Sequence, residues 1–253
     1  MADAKLRIEG LMKRFGGVVA SDAIDLAIDA GELHAIIGPN GAGKTTLIGQ
    51  LTGELSPNAG RIYFEDVDIT ALPVHRRSAM GLARSFQVTS LFLDFTALDN
   101  VALAVQAHAG HSFRFWRNAR SETGLRQPAR AALERVGLAD RADVICANLS
   151  HGEHRQLEIA MALATEPRML LLDEPMAGMG PEESARMVEI LRGLKRNLTI
   201  LLIEHDMEAV FALADRISVL VYGRVIATGA PDDIRANPEV RSAYLGEQEV
   251  TVG

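Results

Sequence analysis

A short glycine-rich segment near the start of the chain has the residue types and spacing of a phosphate-binding loop. It consists of Gly38, Pro39, Asn40, Gly41, Ala42, Gly43, Lys44, Thr45 and Thr46. Glycines allow the backbone to wrap closely around phosphate oxygens, so that N–H groups and the positive end of the next helix converge on them. Lys44 would reach the terminal phosphates, and the Thr45 hydroxyl would complete a Mg²⁺ shell. The pattern predicts nucleotide binding and leaves open a kinase, a GTPase, a helicase or a transport motor.

The residues on either side of this loop predict the elements that would position it. Leu33–Ile37 is a short apolar run typical of a buried strand, and residues 46–51 have the pattern of a helix start. Strand, loop and helix in this order are the context that the motif requires. This context favours a phosphate site over a chance glycine-rich turn.

Two adjacent carboxylates follow a second apolar run. Residues 169–172 are apolar, and Asp173 and Glu174 come directly after them. The run predicts a buried parallel strand that ends at the sheet edge where ligands bind in open α/β folds. Because neighbouring strand residues point in opposite directions, Asp173 could hold Mg²⁺ through water while Glu174 polarises an attacking water. The preceding run disfavours the alternative, a pair of exposed loop acids.

Two further segments could contact phosphate. Residues 199–203 predict another buried strand, which delivers His205; a lone histidine is more often structural, but this position suggests a γ-phosphate sensor. Residues 148–153 lead into a predicted helix, whose start holds the Ser150 hydroxyl and the backbone at Gly152. That start could be a second phosphate site or an ordinary serine N-cap.

Apolar residues that alternate with polar ones predict three half-buried strands, around Leu6, around Leu26 and around Ile62. These runs indicate an antiparallel layer beside the nucleotide core. Phe15 precedes a predicted turn at residues 16–17, where an aromatic ring could stack on a purine or fill the core; the residues alone favour the core slightly.

The middle of the chain, from about residue 95 to 138, is predicted to be mostly helical. It includes residues 111–120, in which Phe113, Phe115 and Trp116 are interleaved with arginines. Such a segment can bind nucleic acid, a membrane surface or a partner helix, or can form a solvated helix face. The formal net charge of −7 makes nucleic acid the weakest of these interpretations.

The composition is that of a protein with a substantial core, with 253 residues of which 48% are hydrophobic. We predict a cytosolic protein, because no apolar run is long enough to span a bilayer and the first residues lack the apolar centre of a secretion signal. The single cysteine, Cys146, excludes an internal disulfide and is interpreted as a buried apolar side chain. Any role at a membrane would then require a partner.

The order of these motifs resembles that of the ATP-binding cassette (ABC) ATPases over nearly the whole chain. The matching pieces are the phosphate loop, Phe86-Gln87, Leu149-Ser150-His151-Gly152-Glu153, Leu172-Asp173-Glu174-Pro175 and Glu204-His205-Asp206. The Leu-Ser-x-Gly element before Glu174 excludes kinases, GTPases and helicases. Further stretches resemble the ATP-binding subunits of branched-chain amino acid importers. They are Lys13-Arg14-Phe15-Gly16-Gly17, Ala83-Arg84-Ser85-Phe86-Gln87, residues 177–183 and Ala243-Tyr244-Leu245-Gly246.

This resemblance implies an α/β fold, that of a P-loop NTPase of the ABC ATPase type. Its parts would be a RecA-like core, an antiparallel β layer and a helical subdomain. We expect a single ABC ATP-binding domain over residues 1–253. The core and β layer would span about residues 1–87 and 166–230, the helical subdomain about 88–165 and a C-terminal tail about 231–253.

The resemblance also assigns roles to residues within a dimer that sandwiches ATP. Ser150 and Gly152 of one subunit would clamp the γ-phosphate bound to the other, and Phe15 would stack on adenine. The groups facing them would be Lys44, Thr45, Gln87, Asp173, Glu174 and His205. Lys44, Gln87, Glu174 and His205 are the catalytic candidates, and Thr45, Gln87 and Asp173 are the Mg²⁺ candidates. Gln87, an unremarkable residue without the resemblance, would also link the site to the membrane partner.

The implied function is ATP hydrolysis that drives a separate membrane permease, with ATP and Mg²⁺ as cofactors. Expected partners are the permease, a second identical or related ATPase subunit and, indirectly, a substrate-binding protein, but no nucleic acid. The chain would then lie on the cytoplasmic face of the inner membrane. The alternatives are the ATPase of a lipopolysaccharide-type exporter and a soluble ABC protein without a permease. His151 stands where the family usually has glycine; ordinary ATP clamping and a pH-sensitive contact both remain open there.

Overall fold

The computed structural model describes residues 4–85, 91–108 and 123–248, and these residues form two β-sheets and nine α-helices. The smaller sheet is antiparallel, with strand order β2-β1-β4-β5. Its strands are β1 (Ala4–Phe15), β2 (Val18–Asp29), β4 (Ala59–Phe64) and β5 (Val67–Asp68). The predicted antiparallel layer is confirmed.

The larger sheet has six strands in the order β10-β9-β3-β8-β7-β6. All neighbours are parallel except the terminal hairpin of β9 and β10. The strands are β3 (Leu33–Ile37), β6 (Leu82–Arg84), β7 (Met169–Asp173), β8 (Thr199–Ile203), β9 (Arg216–Val221) and β10 (Arg224–Gly229). Every residue of β3, β7 and β8 is buried, as expected for strands covered on both faces.

The α-helices connect and cover these sheets. They are α1 (Lys44–Thr52), α2 (Val74–Ala79), α3 (Ala97–His108), α4 (Thr123–Arg135), α5 (His151–Leu163), α6 (Pro181–Leu194), α7 (Met207–Leu213), α8 (Pro231–Ala236) and α9 (Pro238–Gln248). Alternate residues of the central strands enter two different apolar clusters. Leu170 and Leu172 pack in the cluster with α3 to α6, whereas Met169 and Leu171 pack in the cluster with the antiparallel layer and α1.

Two sequence-based interpretations of single residues can be compared with this fold. Cys146 is buried, as predicted. Phe15 lies at the end of β1 with 48% of its surface exposed, so the interpretation of Phe15 as a core residue is wrong. Phe15 is the last residue of β1 before a tight turn, and no element covers its ring fully. Gln87 and the aromatic–basic residues 111–120 lie outside the described residues.

Arg77 of α2 fixes the far end of the helix that follows the phosphate loop. The residue is 2% exposed, and its guanidinium donates hydrogen bonds to the carbonyls of Gln50 and Leu51, each at 2.7 Å. It also donates to the carbonyls of Leu72 and Thr70, each at 2.9 Å. A cation there satisfies the last carbonyls of α1 and complements the negative end of its dipole.

Candidate active site

Four parallel strands bring most of the predicted site residues to one edge of the larger sheet. β3 pairs with β8, β8 with β7 and β7 with β6. The phosphate loop follows β3, His205 follows β8, and Asp173 ends β7 with Glu174 next in the chain. Because the carboxyl ends of parallel strands meet at one edge, these groups surround one crevice.

The phosphate loop is folded around its own glycines. A Cβ atom on Gly38 would lie 2.0 Å from the Leu220 carbonyl oxygen, and one on Gly43 would lie 2.3 Å from that of Ala20. The loop is also braced by the β9–β10 turn, since the Gly223 N–H donates to the Ala42 carbonyl at 2.8 Å. At Gly38 and Gly43 the structure therefore admits only glycine, which is the requirement of a loop whose backbone wraps around phosphate.

We predict that Gly43→Ala weakens ATP binding by at least about tenfold, because the new methyl group collides with the backbone and φ is +106°. Gly193→Ala is the matched control, since a Cβ there meets nothing within 4 Å. Binding of a fluorescent ATP analogue measures the effect, and circular dichroism checks the fold. Equal affinities for the two variants would contradict this interpretation of the loop.

Lys44 begins α1 directly after the loop. The residue is 8% exposed, and its Nζ atom donates to the carbonyls of Gly38, at 2.5 Å, and Pro39, at 3.0 Å. The ammonium group therefore lies over the loop, where a phosphate would meet it. Thr45 is exposed at the next position of the helix, and Thr46 is partly buried.

Asp173 is a buried carboxylate beside an arginine. Its side chain is 4% exposed, and Arg84 Nη2 of β6 lies 3.1 Å from its Oδ2 atom. Burial raises the pKa of Asp173, while the positive charges of Arg84 and Lys44 act in the opposite direction. Arg84 also pairs with Glu54 at 2.6 Å, so it ties the Asp173 strand to the residues after α1.

Glu174 leaves the strand in a left-handed conformation, with φ of +50°. Its N–H donates to the Ile203 carbonyl at 2.9 Å, and its side chain is 43% exposed to the crevice. His205 Nδ1 lies 4.0 Å from Glu174 Oε1, and the histidine side chain is 64% exposed. The structure thus brings the predicted water-activating carboxylate next to the predicted phosphate sensor.

Glu204 holds the backbone next to both Glu174 and His205. It is 1% exposed, and its Oε1 atom accepts the Met176 N–H at 2.9 Å. Its Oε2 atom accepts the N–H groups of His205, at 2.8 Å, and Asp206, at 3.3 Å. One buried carboxylate therefore holds the loop after Glu174 and the start of the loop after β8.

Ser150 and Gly152 stand at the start of α5, in a segment that we call the signature loop (residues 149–153). Ser150 Oγ accepts the Glu153 N–H at 3.2 Å, and Glu153 Oε2 accepts the Ser150 N–H at 2.8 Å, which forms a capping box. Among the described residues, the other hydrogen bond of the Ser150 hydroxyl goes to Glu183 of α6, at 3.3 Å. The N-cap interpretation is therefore confirmed, and the phosphate role of this loop remains a prediction.

His151 does not adopt the left-handed backbone conformation that favours glycine, since it is not among the residues with positive φ in the described part of the chain. Its Nε2 atom lies 3.2 Å from the Ala177 carbonyl oxygen, so this nitrogen donates and the ring contacts the segment after Glu174. The side chain is exposed. The histidine thus links the signature loop to residues 177–180.

Sequence reasoning gave no role in the site to Arg84, Glu204 or Glu183. Arg84 ends β6 three residues before Gln87, and Glu204 follows β8 directly before His205, so their positions at the carboxyl ends of core strands are a usable signal. Glu183 carries no such signal, because its contact with Ser150 joins residues 33 positions apart.

The residues at the sheet edge fit a nucleoside triphosphate and a magnesium ion. The glycine cradle and Lys44 suit the phosphates, and the Thr45 hydroxyl and the Asp173 carboxylate are the hard oxygen donors that Mg²⁺ prefers. No group of three or more His, Cys, Asp or Glu side chains in the described residues could hold a metal by itself. Phosphate oxygens and water would therefore have to complete the shell, as is usual for Mg²⁺.

A parallel sheet that places a glycine cradle beside Asp173 and Glu174 defines a P-loop nucleoside triphosphatase. The ABC transporter family model matches residues 21–177, and a model described as branched-chain amino acid ATP-binding cassette transporter matches residues 224–250. The chain therefore belongs to the ABC transporter ATPases, in their branched-chain amino acid group.

Individual relatives agree with this membership. The chain is 40% identical to the high-affinity branched-chain amino acid transport ATP-binding protein LivG of Escherichia coli strain K12, over 98% of this chain and 100% of LivG. It is 34% identical to the lipopolysaccharide export system ATP-binding protein LptB of Acidithiobacillus ferridurans, over 96% and 97%. The solved ADP conformation of MJ1267, an ATP-binding cassette of an ABC transporter, is 31% identical with a TM-score of 0.85, over 96% of this chain and 99% of MJ1267.

Proposed function

We propose that this chain hydrolyses ATP to drive an importer of branched-chain or related amino acids through a separate permease. The observation that carries the proposal is the juxtaposition of Lys44, Asp173, Glu174 and His205 at one sheet edge. The 40% identity to LivG, against 34% to LptB, and the match of residues 224–250 support amino-acid import over lipopolysaccharide export. Uptake of labelled amino acids by cells that lack the chain tests the cargo, and unchanged uptake of all of them would contradict it.

In this reaction the chain's residues mainly position and neutralise charge. Lys44 donates to the terminal phosphates, and the loop N–H groups hold the remaining phosphate oxygens. Glu174 accepts a proton from the attacking water or orients it, and His205 donates to the γ-phosphate. Phe15 stacks on the adenine ring, since its exposed face is free of a core role.

Thr45, Asp173 and Gln87 would hold magnesium, which would supply charge neutralisation at the phosphate oxygens. Asp173 is prepared for this contact by its position, because β7 fixes its backbone and Arg84 holds one carboxylate oxygen. The contribution of Gln87 rests on the family resemblance alone. Titrating Mg²⁺ against ATP turnover tests this assignment.

The second half of the ATP site is contributed by a partner ATPase subunit, either a copy of this chain or a related one. Ser150 and His151 are exposed at the start of α5, and the hydrogen bonds of the Ser150 hydroxyl go to Glu153 and Glu183. An exposed helix start with a serine N-cap suits an anion that is presented from outside. Ser150 and Gly152 therefore clamp the γ-phosphate that the partner holds.

The permease contact involves the chain between β6 and β7, which we assign as the helical subdomain. An apolar patch is exposed there, formed by Phe92, Leu93, Phe95 and Ile145 at 55%, 50%, 41% and 45% exposure. Its two phenylalanine rings stack with centroids 5.4 Å apart. The buried Asn100 side chain fixes the backbone below it, accepting the Phe92 N–H at 2.8 Å and donating to the Phe92 carbonyl at 3.0 Å.

A patch of exposed aromatic rings is typical of a binding surface. This Phe92 patch follows shortly after the segment that contains Gln87, so a partner bound there is connected to the active site through a few residues. We assign the patch to a cytoplasmic segment of the permease. Residues 111–120, including Phe113, Phe115 and Trp116, are a further proposed contact outside the described residues.

Replacing Phe92 and Phe95 together by Ser is expected to lower the amount of permease that co-purifies with the chain by about tenfold, because two exposed anchors are lost. ATP binding should be unchanged. Val67→Ser on the antiparallel layer is the control, since Val67 is 49% exposed and distant from the patch in the topology. Equal recovery of permease with both variants would exclude the patch as the docking surface.

Membrane association would then come from the permease and place the chain on the cytoplasmic face of the inner membrane. Within the described ranges no helix is long and apolar enough to cross a membrane. Separation of membrane and soluble fractions, with and without the permease, tests this location. Co-sedimentation with ribosomes instead would favour the alternative of a soluble ABC protein.

A further inference from the structure

The carboxylate of Glu183 lies against the signature loop. Its Oε1 atom accepts a hydrogen bond from Ser150 Oγ at 3.3 Å, and its Oε2 atom accepts one from the Gly180 N–H at 3.4 Å. A Cβ atom on Gly152 would lie 2.6 Å from Glu183 Oε1, so the carboxylate fills the space that a side chain at Gly152 would need. An acidic group of the same chain therefore occupies the region in front of the first turn of α5.

This contact engages the one proton that the Ser150 hydroxyl can donate. The hydroxyl oxygen already accepts the Glu153 N–H, and its proton is directed to Glu183. While that contact persists, Ser150 cannot donate to a phosphate oxygen. A carboxylate at the N-terminus of a helix is stabilised there for the same reason as a phosphate, and the two anions repel each other.

Glu183 is also mechanically connected to the segment after Glu174. Residues 177–180 lead directly into α6, and the Gly180 N–H is held by Glu183 itself. His151 contacts the Ala177 carbonyl from the other side, at 3.2 Å. A molecule that presses on residues 177–180 therefore acts on both ends of the contact between Glu183 and the signature loop.

We propose that Glu183 is an internal anion that occupies the signature loop until contact with the partner ATPase subunit displaces it. It thereby raises the ATP concentration that is needed to close the dimer. This inference rests on the proposed function, in which Ser150 and Gly152 bind the γ-phosphate held by the partner. Displacement frees the Ser150 proton for a phosphate oxygen and removes the opposing charge.

The test uses Glu183→Gln, because glutamine keeps an acceptor for the Gly180 N–H and removes the negative charge. In the transporter assembled with its permease and second ATPase subunit, we expect KM for ATP to fall roughly three- to tenfold. Glu182→Gln is the matched control, since Glu182 is the exposed neighbour on the same helix turn and carries the same charge. KM should be unaltered by that change.

A KM for Glu183→Gln equal to or above that of the wild type would overturn the proposal. A second measurement is the binding of a fluorescent ATP analogue to the isolated chain, which should be the same for Glu183→Gln and wild type. Tighter binding there would place the effect in the phosphate loop and would also overturn it. Ser150→Ala distinguishes failure of this proposal from failure of the proposed function. If Ser150→Ala leaves KM for ATP unaltered, the proposed γ-phosphate clamp is wrong. If Ser150→Ala raises KM while Glu183→Gln leaves it unaltered, only the gating role of Glu183 is wrong.

Discussion

Replacing Glu174 by Gln is expected to reduce ATP turnover by about 10²- to 10⁴-fold while ATP binding persists. Gln has nearly the same shape as Glu but cannot accept a proton from water. The backbone at this position is held by the Ile203 carbonyl and, two residues later, by Glu204, so the substitution should not move the loop. Steady-state phosphate release and binding of a fluorescent ATP analogue measure the two properties on the same preparation.

Glu166→Gln is a matched control for this experiment. Glu166 is an exposed glutamate with a positive φ of +49°, close to the +50° of Glu174, and it precedes β7 at the opposite end from the site. Its substitution should leave turnover unaltered. Wild-type turnover in Glu174→Gln would refute the role of Glu174 as base. If the wild-type chain alone shows no ATP turnover, addition of the second ATPase subunit should restore turnover, because that subunit completes the site.

Arg77→Ala is expected to lower the free energy of unfolding by about 3 kcal/mol, the largest effect on stability that we predict outside the apolar core. The substitution removes a buried cation and leaves the carbonyls of Gln50, Leu51, Leu72 and Thr70 without this donor. Arg77→Lys should recover only part of the loss, because a single ammonium group cannot reach four carbonyls in a fork geometry. Urea unfolding followed by circular dichroism measures both.

Arg76→Ala provides the comparison, since Arg76 is exposed on the same helix turn. Its effect should stay within about 0.5 kcal/mol, as is usual for surface substitutions. The ATP affinity of folded Arg77→Ala should also fall, because Arg77 fixes the end of the helix that begins at Lys44. Similar unfolding curves for Arg77→Ala and Arg76→Ala would contradict the prediction and show that water replaces the guanidinium without loss of stability.

Several features of this protein could be predicted from local pattern alone. Mostly apolar runs indicated β3, β7 and β8, because strands covered on both faces bury nearly all of their side chains. The alternation around Leu6 and Ile62 indicated the antiparallel layer, since one face of each strand packs inward. The glycine spacing before Lys44 indicated the phosphate loop, because such a loop needs backbone space that side chains would fill.

Assignments that depended on one residue in isolation were weaker. Phe15 is apolar, and the sequence could not reveal that it ends a strand at a surface turn, so the core interpretation was wrong. Ser150 has the local pattern of an N-cap, and it is one. Its predicted role towards phosphate was one of two local alternatives, and only the order of motifs along the whole chain favoured it. His151 gave no sign of its neighbour, the Ala177 carbonyl.

By itself the sequence determined the buried core strands, the antiparallel layer, the phosphate loop and the two carboxylates at the end of β7, because these depend on residues adjacent in the chain. The tertiary structure alone decided which groups meet: Arg84 with Asp173, Glu204 with the backbone after Glu174, Arg77 with the end of α1, and Glu183 with Ser150. Each of these contacts joins residues 26 to 89 positions apart. Their partners are selected by strand order and helix packing, which a local pattern does not encode.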